Sequence, residues 1–254
     1  IGFKADGSVV YGRPKISIKL NDGSKDIAVN YLNNDRKYNE TSVYLYTSDF
    51  GATTKSIHPG TEARLNIVSG DFRLGEVITA VVESVGAQNT PIGEGQIVIA
   101  AAGARASDLS GLTPGKTVAI SLIDENPSLG WSEVVQAIGY NEVLAEGGAL
   151  TPVTESNTDV HPRSAIGIKE DGTVVLFQVD GRQPGWSNGL TYKQIAEHLV
   201  YNKGCQTVVN LDGGGSSTLT VRLPGNESAE ILNSPSDGFE RSNSNALLFF
   251  TEKK

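Results

Sequence analysis

The chain has very little cysteine and no methionine, and each shortage limits the interpretation. Cys205 is the single cysteine among 254 residues, which excludes an internal disulfide and leaves the redox compartment undecided. Because free cysteine usually packs inside a core, we interpret Cys205 as buried filler rather than as a nucleophile. The chain opens at Ile1 without any methionine, so we expect its natural N-terminus, with any targeting signal, to lie outside this sequence.

Long apolar runs and clusters of basic residues are also missing. No apolar segment approaches the ~18 residues of a membrane helix, so membrane insertion is not expected. The formal net charge is -8, and nucleic-acid binding is not expected because it needs clustered Lys and Arg to neutralise phosphates. An anionic ligand would therefore have to be bound by a local group of cations.

Glycine, by contrast, is abundant and separates short strands of alternating pattern. The 29 glycines exceed the usual share of about 7%. Between residues 15 and 123 they lie with Asn, Asp and Pro between β-type runs. The clearest runs are 16–20, 43–46, 65–68, 77–85, 97–100 and 118–122. This segment has almost no convergent polar chemistry, so we interpret it as a β-rich scaffold or insertion.

Two helices are predicted, and together with the strands they define the fold class. One would span residues 131–144 on an apolar stripe, and the other begins at Thr191, forms a capping box with Gln194 and ends at Gly204. We predict an α+β fold with a mixed β-sheet core, a few helices packed on it and a β-rich inserted segment.

The predicted domain organisation has three parts. Residues 1–14 would form the first hairpin of a catalytic core, which starts inside a strand and therefore looks truncated. The β-rich insertion or scaffold would span residues 15–128, and the rest of the catalytic core would span residues 129–254.

Two ten-residue segments repeat each other. Residues 1–10 read IGFKADGSVV and residues 166–175 read IGIKEDGTVV, so seven of ten positions are identical. Each segment places an Asp-Gly turn between two apolar strands, which is a strong hairpin signature. Either the two hairpins occupy equivalent places in one core, or a common type of turn has arisen twice.

The most informative segment joins a short buried strand, 207–211, to an acid, three glycines and two serines. These residues are Asp212, Gly213, Gly214, Gly215, Ser216 and Ser217. Consecutive glycines let backbone N–H groups converge on an anion without interference from Cβ atoms. The segment is therefore either a phosphate cradle beside a carboxylate or a tight turn between two strands.

Further polar candidates lie where predicted strands begin or end. Asp180 follows a predicted strand, and Arg163 precedes one. Glu240, Arg241 and Asn245 lie shortly before a final apolar strand. Functional residues often gather on such connections. Each candidate also has a purely structural interpretation: Asp180 as the start of a turn, Arg163 as a surface cation, and residues 240–245 as a solvated loop.

These segments resemble, in their order along the chain, the motifs of the phosphodiester glycosidases. The matching blocks are RSAIGI from residue 163, VDGR from 179, GLT from 189, NLDGGGSST from 210, PS from 235 and ERSNSNA from 240. The resemblance covers about residues 136–250 and the opening hairpin. An NGGF-like block that usually precedes that hairpin in the family is absent here, and residues 139–141 replace a glycine-rich stretch of many bacterial members.

The resemblance implies a hydrolase that cleaves a sugar-1-phosphodiester at the C1–O bond, as in family members that release N-acetylglucosamine. The catalytic carboxylate would be Asp212, with Asp180 and Glu240 as partners. The implied substrate-binding residues are Arg163, Arg241, Asn210, Gly213, Gly214, Gly215, Ser216, Ser217 and Asn245. No cofactor is expected, the partner would be a phosphorylated or phosphodiester-linked glycan, and the location would be extracellular or in the cell envelope.

Two alternatives remain open from the sequence. A metal-dependent phosphodiesterase would cut the P–O bond and use Asp180, Asp212 and Glu240 as oxygen ligands for Mg²⁺ or Ca²⁺. A non-catalytic envelope module would bind a phosphorylated glycan without releasing products.

Overall fold

The structure is a computed structural model, and it describes residues 1–36, 41–243 and 245–250. The chain divides into two compact units, one formed by Ile1–Tyr11 with Val134–Lys254 and the other by Gly12–Glu133. The boundaries expected from the sequence are 14/15 and 128/129. Within the described part of the chain, no helix is long and apolar enough to cross a membrane.

The chain opens with a hairpin of β1 (Gly2–Lys4) and β2 (Val9–Val10), which belongs to the first unit. The second unit then contributes a run of strands: β3 (Ile16–Asn21), β4 (Asp26–Val29), β5 (Tyr31–Leu32), β6 (Val43–Tyr46), β7 (Thr61–Ser69), β8 (Val77–Gly86), β9 (Gln96–Ala101) and β10 (Thr117–Asp124). These strands pair in the order β4-β3-β10-β8-β7-β9-β6-β5. The strands predicted between residues 15 and 123 are thus confirmed.

The sheet of the second unit is mixed, because β5 and β6 run parallel while the other neighbours are antiparallel. Alternation places one face of each strand in the core. In β8, for example, Ile78, Ala80 and Val82 are buried, whereas Val77 is exposed. None of the candidate site residues belongs to this unit.

The rest of the first unit contains a smaller, five-stranded sheet, three further short strands and two short helices. Its elements are β11 (Val134–Ala137), β12 (Glu142–Glu146), β13 (Ala149–Leu150), α1 (Val153–Ser156), β14 (Arg163–Lys169), β15 (Val174–Val179), α2 (Tyr192–Glu197), β16 (Cys205–Asn210), β17 (Thr220–Val221) and β18 (Glu230–Ile231). The sheet order is β13-β12-β16-β14-β15, with every pair antiparallel. The predicted α+β class is therefore confirmed, with strands dominating and few helices.

The helix predicted over residues 131–144 is wrong. The structure has a 3₁₀ turn at Trp131–Glu133, followed by β11 and β12. β11 pairs with β1 and β12 pairs with β16, so both strands gain partners that are distant in sequence. The valines of this segment are β-branched and stiff, which favours such pairing over a local helix.

The second predicted helix is confirmed, including its N-terminal cap. Thr191 accepts the N–H of Gln194, and the Gln194 side chain accepts the N–H of Thr191, so both halves of the capping box are present. The last turn widens into a π-helix at His198–Asn202. Gly204 ends it at φ +74°, a left-handed conformation that glycine adopts without strain.

The two similar hairpins have the same internal hydrogen bonds. In the first, the N–H of Lys4 donates to the Ser8 carbonyl and that of Gly7 to the Lys4 carbonyl. In the second, Lys169, Thr173 and Gly172 make the corresponding bonds. In each, the Asp of the turn accepts an N–H two residues on.

Both hairpins also contribute to one hydrophobic cluster. Ile1 and Ile166, which occupy the same position in the repeat, are buried together with Val209. The two hairpins therefore share one hydrophobic cluster, although the first belongs to the sheet β11-β1-β2 and the second to a five-stranded sheet.

The expected C-terminal strand is not formed, since no strand is assigned to residues 246–250. This segment is held by side chains instead. Leu247 packs beside Ile166 and Val209, and the Phe249 ring meets the Phe3 ring edge-on, with 6.1 Å between centroids.

Antiparallel pairing brings three strand ends to one end of the smaller sheet. Arg163 begins β14 opposite Val179, the last residue of β15. Ala165 of the same strand lies opposite Asn210, the last residue of β16. The residues that follow β15 and β16 therefore leave the sheet beside the residues that precede β14, although they are far apart in sequence.

Glycine at residue 189 keeps this end of the sheet together, because a side chain there would collide with the His161 backbone. Gly189 has φ +98°. We expect Gly189→Ala to lower the free energy of unfolding by roughly 3 kcal/mol, from backbone strain plus overpacking. Urea titration followed by circular dichroism measures this loss.

Gly185→Ala is the matched control. Gly185 also has positive φ, +86°, but an added Cβ there meets open space. Only the strain remains, so the loss should be about 1 kcal/mol. Equal losses for the two variants would contradict the close packing of Gly189 on His161.

Candidate functional site

Residues 212–217, called here the glycine loop, turn sharply where β16 ends. A single 3₁₀ turn spans Gly214–Ser216. The N–H of Gly214 donates to the Pro162 carbonyl, and that of Gly213 donates to the Asp212 carboxylate, both at 2.9 Å. These amides, which were expected to hold a phosphate, already have partners. The N–H of Gly215 has no partner among the described residues, so it and the nearby charged side chains are the available donors in this conformation.

Each glycine of the triplet lies against a different arginine. A side-chain carbon on Gly214 or Gly215 would meet the guanidinium of Arg182 or of Arg241, whereas one on Gly213 would meet the Pro162 carbonyl and lie 3.8 Å from Arg163 Cδ. At Gly214 the added carbon would lie 3.0 Å from Arg182 Nη1. At Gly214 and Gly215, the lack of a side chain leaves free the space that these two arginines occupy. These three residues, Arg163, Arg182 and Arg241, are called the arginine cluster.

Arg163 is the buried member of the cluster, with 7% of its surface exposed. Its guanidinium lies over the Tyr192 ring, 4.2 Å from the centroid, and Nη2 donates to the Asp159 carbonyl at 3.0 Å. Its Nε has no hydrogen-bond partner, and no carboxylate among the described residues pairs with it. A buried cation normally lies beside a carboxylate. Because no described carboxylate pairs with Arg163, its positive charge is not compensated by an acid.

Arg182 is exposed and lies in an uncommon backbone conformation, φ +58°. This left-handed region costs a non-glycine residue free energy, and such residues cluster at functional sites. The side chain approaches His161 Nδ1 at 3.4 Å. Within the described part of the chain it forms no ion pair, so its charge is available to a ligand.

Arg241 is tied to an acid on its own segment. Nε and Nη2 both donate to Asp237 Oδ2, the first at 3.1 Å. The same Asp237 oxygen lies against Gly215. Arg241 therefore reaches the loop as half of an ion pair rather than as a free cation.

The three predicted acids have very different surroundings. Asp212 is exposed, and its only hydrogen bond in the described structure is the N–H of Gly213 on Oδ1, so Oδ2 is free. Asp180 is enclosed by donors. Glu240 is exposed and makes no hydrogen bond or ion pair with any described residue. Asp212 is thus the acid best placed to face a ligand on the loop.

Asp180 links the end of β15 to the segment that follows β18. Its oxygens accept from Trp186 Nε1 at 3.1 Å, Asn233 Nδ2 at 3.0 Å and the Ser234 N–H at 3.0 Å, with Gln178 also donating. Burial alone would raise the pKa of Asp180, but these hydrogen bonds outweigh it and lower the pKa. The carboxylate stays ionised and acts as an anchor.

The remaining predicted residues divide into buried and exposed ones. Asn210 is 1% exposed and donates to the Leu211 carbonyl. Ser217 is equally buried, shares a hydrogen bond with Ser164, and its carbonyl accepts from Asn233. Both side chains are therefore buried and do not face solvent.

Two predicted residues show little involvement in this conformation. The N–H of Ser216 donates back to the Gly213 carbonyl within the 3₁₀ turn. Asn245 is exposed and has no hydrogen bond among the described residues.

Comparison with known families shows which family the chain belongs to. The model of the phosphodiester glycosidase family matches residues 72–250, which is more than half of the sequence. The chain belongs to this family. The match includes the glycine loop and all three members of the arginine cluster, and it begins within the second unit.

Two further comparisons concern individual proteins. An 81-residue stretch is 42% identical to the SPbeta prophage-derived uncharacterized protein YomE of Bacillus subtilis (strain 168), covering 32% of this chain and 11% of that protein. The fold resembles the crystal structure of a Burkholderia pseudomallei K96243 protein that is provisionally named as exported. The TM-score is 0.62 and the identity 22%, over 93% of this chain and 54% of that one. This second likeness concerns the fold alone.

The matched proteins are thus considerably longer than this chain. It spans about a tenth of YomE and about half of the Burkholderia protein.

Sequence reasoning missed two residues of this glycosidase-family site. Arg182 belongs to the VDGR block, but only the acid of that block was selected. Its position two residues after a strand-end acid was the available signal. Asp237 carried no signal, because its role depends on Arg241 and Gly215, which meet it only in the folded chain.

The acids do not assemble as the metal-dependent alternative requires. Within residues 1–36, 41–243 and 245–250, no three His, Cys, Asp or Glu side chains form a group that could hold a metal ion. Both oxygens of Asp180 are instead occupied by protein donors.

Replacing Arg163 tests whether its charge is kept for an anion. We expect Arg163→Met to weaken the binding of inorganic phosphate at least tenfold, because it removes a charge-assisted donor from a buried position. The unliganded protein should keep its stability within about 1 kcal/mol or gain, since an unpaired buried charge is removed. Isothermal titration calorimetry and urea unfolding give the two quantities.

Arg222→Met is the control, because Arg222 is an exposed arginine of the same unit without a described partner. It should leave phosphate affinity unchanged. If Arg163→Met instead unfolds the protein while Arg222→Met does not, Arg163 is structural and the reading of an anion site is wrong.

Asp180→Asn should reveal a pH-dependent contribution to stability. Because the folded pKa is lowered, the contribution is complete above the unfolded value of about 3.9 and is lost as pH falls through the folded pKa. The variant should therefore be less stable than the wild type at pH 7, and the difference should shrink at pH 3. Thermal unfolding at both pH values measures it, and a constant difference would speak against an ionic anchor.

Proposed function

We propose that the protein hydrolyses a sugar-1-phosphodiester between the anomeric carbon and the phosphate oxygen, releasing a sugar and a phosphomonoester. The proposal depends chiefly on Arg163, a buried cation without a carboxylate partner that lies beside the glycine loop. Membership of the phosphodiester glycosidase family supports a hydrolase of this type.

The arginine cluster would bind the phosphate. Arg163 and Arg182 supply positive charge that no described carboxylate neutralises. Arg241 adds a third guanidinium, which forms an ion pair with Asp237. Guanidinium groups bind phosphate oxygens through paired, charge-assisted hydrogen bonds. In a chain of net charge -8, this local cluster is what would attract an anionic substrate.

Cleavage at carbon rather than phosphorus fits these groups. When the C1–O bond breaks, its electron pair leaves with the phosphate oxygen, and the phosphomonoester that forms has a second pKa near 6. Such a leaving group needs little protonation, so cations that stabilise its charge contribute more than a strong general acid. Three arginines close to the glycine loop suit that requirement.

Asp212 would provide the carboxylate that the sugar centre needs. An oxocarbenium-like centre is attacked either by a carboxylate or by water that has given a proton to one. Oδ2 of Asp212 has no hydrogen-bond partner in the described structure. The oxygens of Asp180, by contrast, already accept from protein donors, and Glu240 makes no hydrogen bond or ion pair with a described residue. We assign Asp212 this role, with Asp180 positioning the segment around it.

The natural substrate is proposed to be a phosphorylated or phosphodiester-linked glycan, with N-acetylglucosamine as one candidate sugar. An extracellular or envelope location is proposed as well, since such glycans occur there. The similarity to a protein provisionally named as exported agrees with this location.

Hydrolysis in oxygen-18 water tests the proposed bond. A glycosyl-1-phosphodiester such as N-acetylglucosamine-1-phosphate methyl ester should give labelled sugar and unlabelled phosphomonoester. Mass spectrometry of both products reads the result. Label in the phosphate would overturn C–O cleavage and indicate attack at phosphorus.

Asp212→Asn tests the assigned carboxylate. The variant should lose at least about 10³ of kcat, since it can neither attack nor accept a proton, while its affinity for inorganic phosphate stays the same. Asp171→Asn is the control, because Asp171 is an exposed turn acid in the second hairpin. Full turnover by Asp212→Asn would remove Asp212 from the mechanism.

A further inference from the structure

An exposed tryptophan lies at the edge of a cleft in the first unit. Trp186 has 72% of its surface exposed, which is unusual for so large an apolar side chain. The cleft holds about 360 Å³ and is lined by Trp186, Leu219 and Leu232 together with the polar residues Gln178, Asp180 and Asn233. Its size and mixed lining are those of small-molecule sites.

Trp186 is held in place although its ring faces solvent. Its Nε1 donates to Asp180 Oδ2 at 3.1 Å. Its backbone belongs to a turn in which the N–H groups of Trp186 and Ser187 both donate to the Gln183 carbonyl. Gln183 in turn exchanges hydrogen bonds with Ser234. A fixed and exposed aromatic face binds a ligand with little loss of conformational entropy.

We propose that the indole face of Trp186 stacks against a pyranose ring of the substrate. The apolar C–H face of a pyranose fits an aromatic surface, and its rim of hydroxyl groups needs hydrogen-bond partners. Gln178 Oε1 lines the same cleft and has no partner in the described structure, so it can accept from a hydroxyl. Leu219 and Leu232 add apolar surface to the same cleft.

One residue that lines the cleft lies close in sequence to a member of the arginine cluster. Asp180 lines the cleft, and two residues later Arg182 faces Gly214 of the glycine loop. Two residues span at most ~7 Å. In a glycosyl phosphodiester the sugar ring and the phosphate are likewise joined through one bridging oxygen. The inference rests on the proposed function for this adjacency, and the ring could belong to the glycosyl group or to a sugar aglycone.

Binding of neutral sugars tests the cleft independently of catalysis. The second tryptophan, Trp131, is only 8% exposed, so acrylamide quenching of tryptophan fluorescence reports mainly on Trp186. At least one member of a panel of methyl glycosides of common hexoses and N-acetylhexosamines should reduce this quenching. Trp186→Phe removes the reporting indole, so the weak quenching that remains from Trp131 should not respond to sugar, which assigns the protection to Trp186. Unchanged quenching with the whole panel would overturn the proposal.

Kinetics test the same contact in the working enzyme. Trp186→Ala should raise KM for a glycosyl phosphodiester about tenfold, and Trp186→Phe, which keeps an aromatic face, no more than about threefold. Affinity for inorganic phosphate should stay unchanged in both. Tyr201→Ala, which removes another exposed aromatic residue, should have no effect. An equal loss of phosphate affinity would show that Trp186 only supports the arginine cluster, and would overturn the proposal.

Two substrate series identify the ring. If changing the sugar at a fixed aglycone alters the effect of Trp186→Ala, the glycosyl group lies on Trp186; if changing the aglycone does so, the aglycone lies there. Absence of phosphodiester hydrolysis in the wild type would refute the proposed function alone, because the quenching result still decides whether the cleft binds a sugar.

Discussion

The buried charge of Arg163 is the constraint on which the site depends. Taking a guanidinium out of water is costly, and here the Tyr192 ring and one backbone carbonyl offset only part of that cost. Gly213 of the glycine loop lies beside the Arg163 side chain and, being glycine, places no side chain of its own there. An anion that reaches this loop would gain interactions that the unliganded protein leaves unmade, which is the physical basis of the phosphate recognition that we propose for a chain of negative net charge.

Asp180 organises the surroundings of that charge. Its carboxylate accepts from Trp186, Asn233 and Ser234, so it ties the turn after β15 to the segment near β18. Arg182 follows two residues later, in a left-handed conformation that brings it to the loop. One ionised acid therefore fixes the aromatic edge of the cleft, two residues before one arginine of the cluster. An acid occupied in this way differs from Asp212, whose Oδ2 remains open.

Much of the fold is predictable from local pattern. Alternating strands, Asp-Gly turns and the capping box at Thr191 are decided by neighbours within a few residues, and the structure contains them. The segment 131–144 fails for the opposite reason. Its apolar spacing fits a helix, but β11 gains β1 and β12 gains β16 as partners, and pairing between distant segments outweighs a weak local preference. The C-terminal segment, with its apolar run, finds side-chain contacts instead of a strand partner.

The sequence by itself determined the chemistry on offer: a strand that ends in Asp212 and three glycines, arginines at two predicted strand boundaries, and the order of blocks typical of the family. Only the tertiary structure decided which of these groups meet. Antiparallel pairing of β14 with β15 and β16 brings Arg163, Arg182 and the loop to one end of the sheet. In the folded chain the Asp180 carboxylate accepts hydrogen bonds from several donors, whereas Glu240 makes no hydrogen bond or ion pair with any described residue. Composition and spacing specify residue types, whereas burial, charge compensation and hydrogen-bond saturation arise from contacts between segments far apart in the chain.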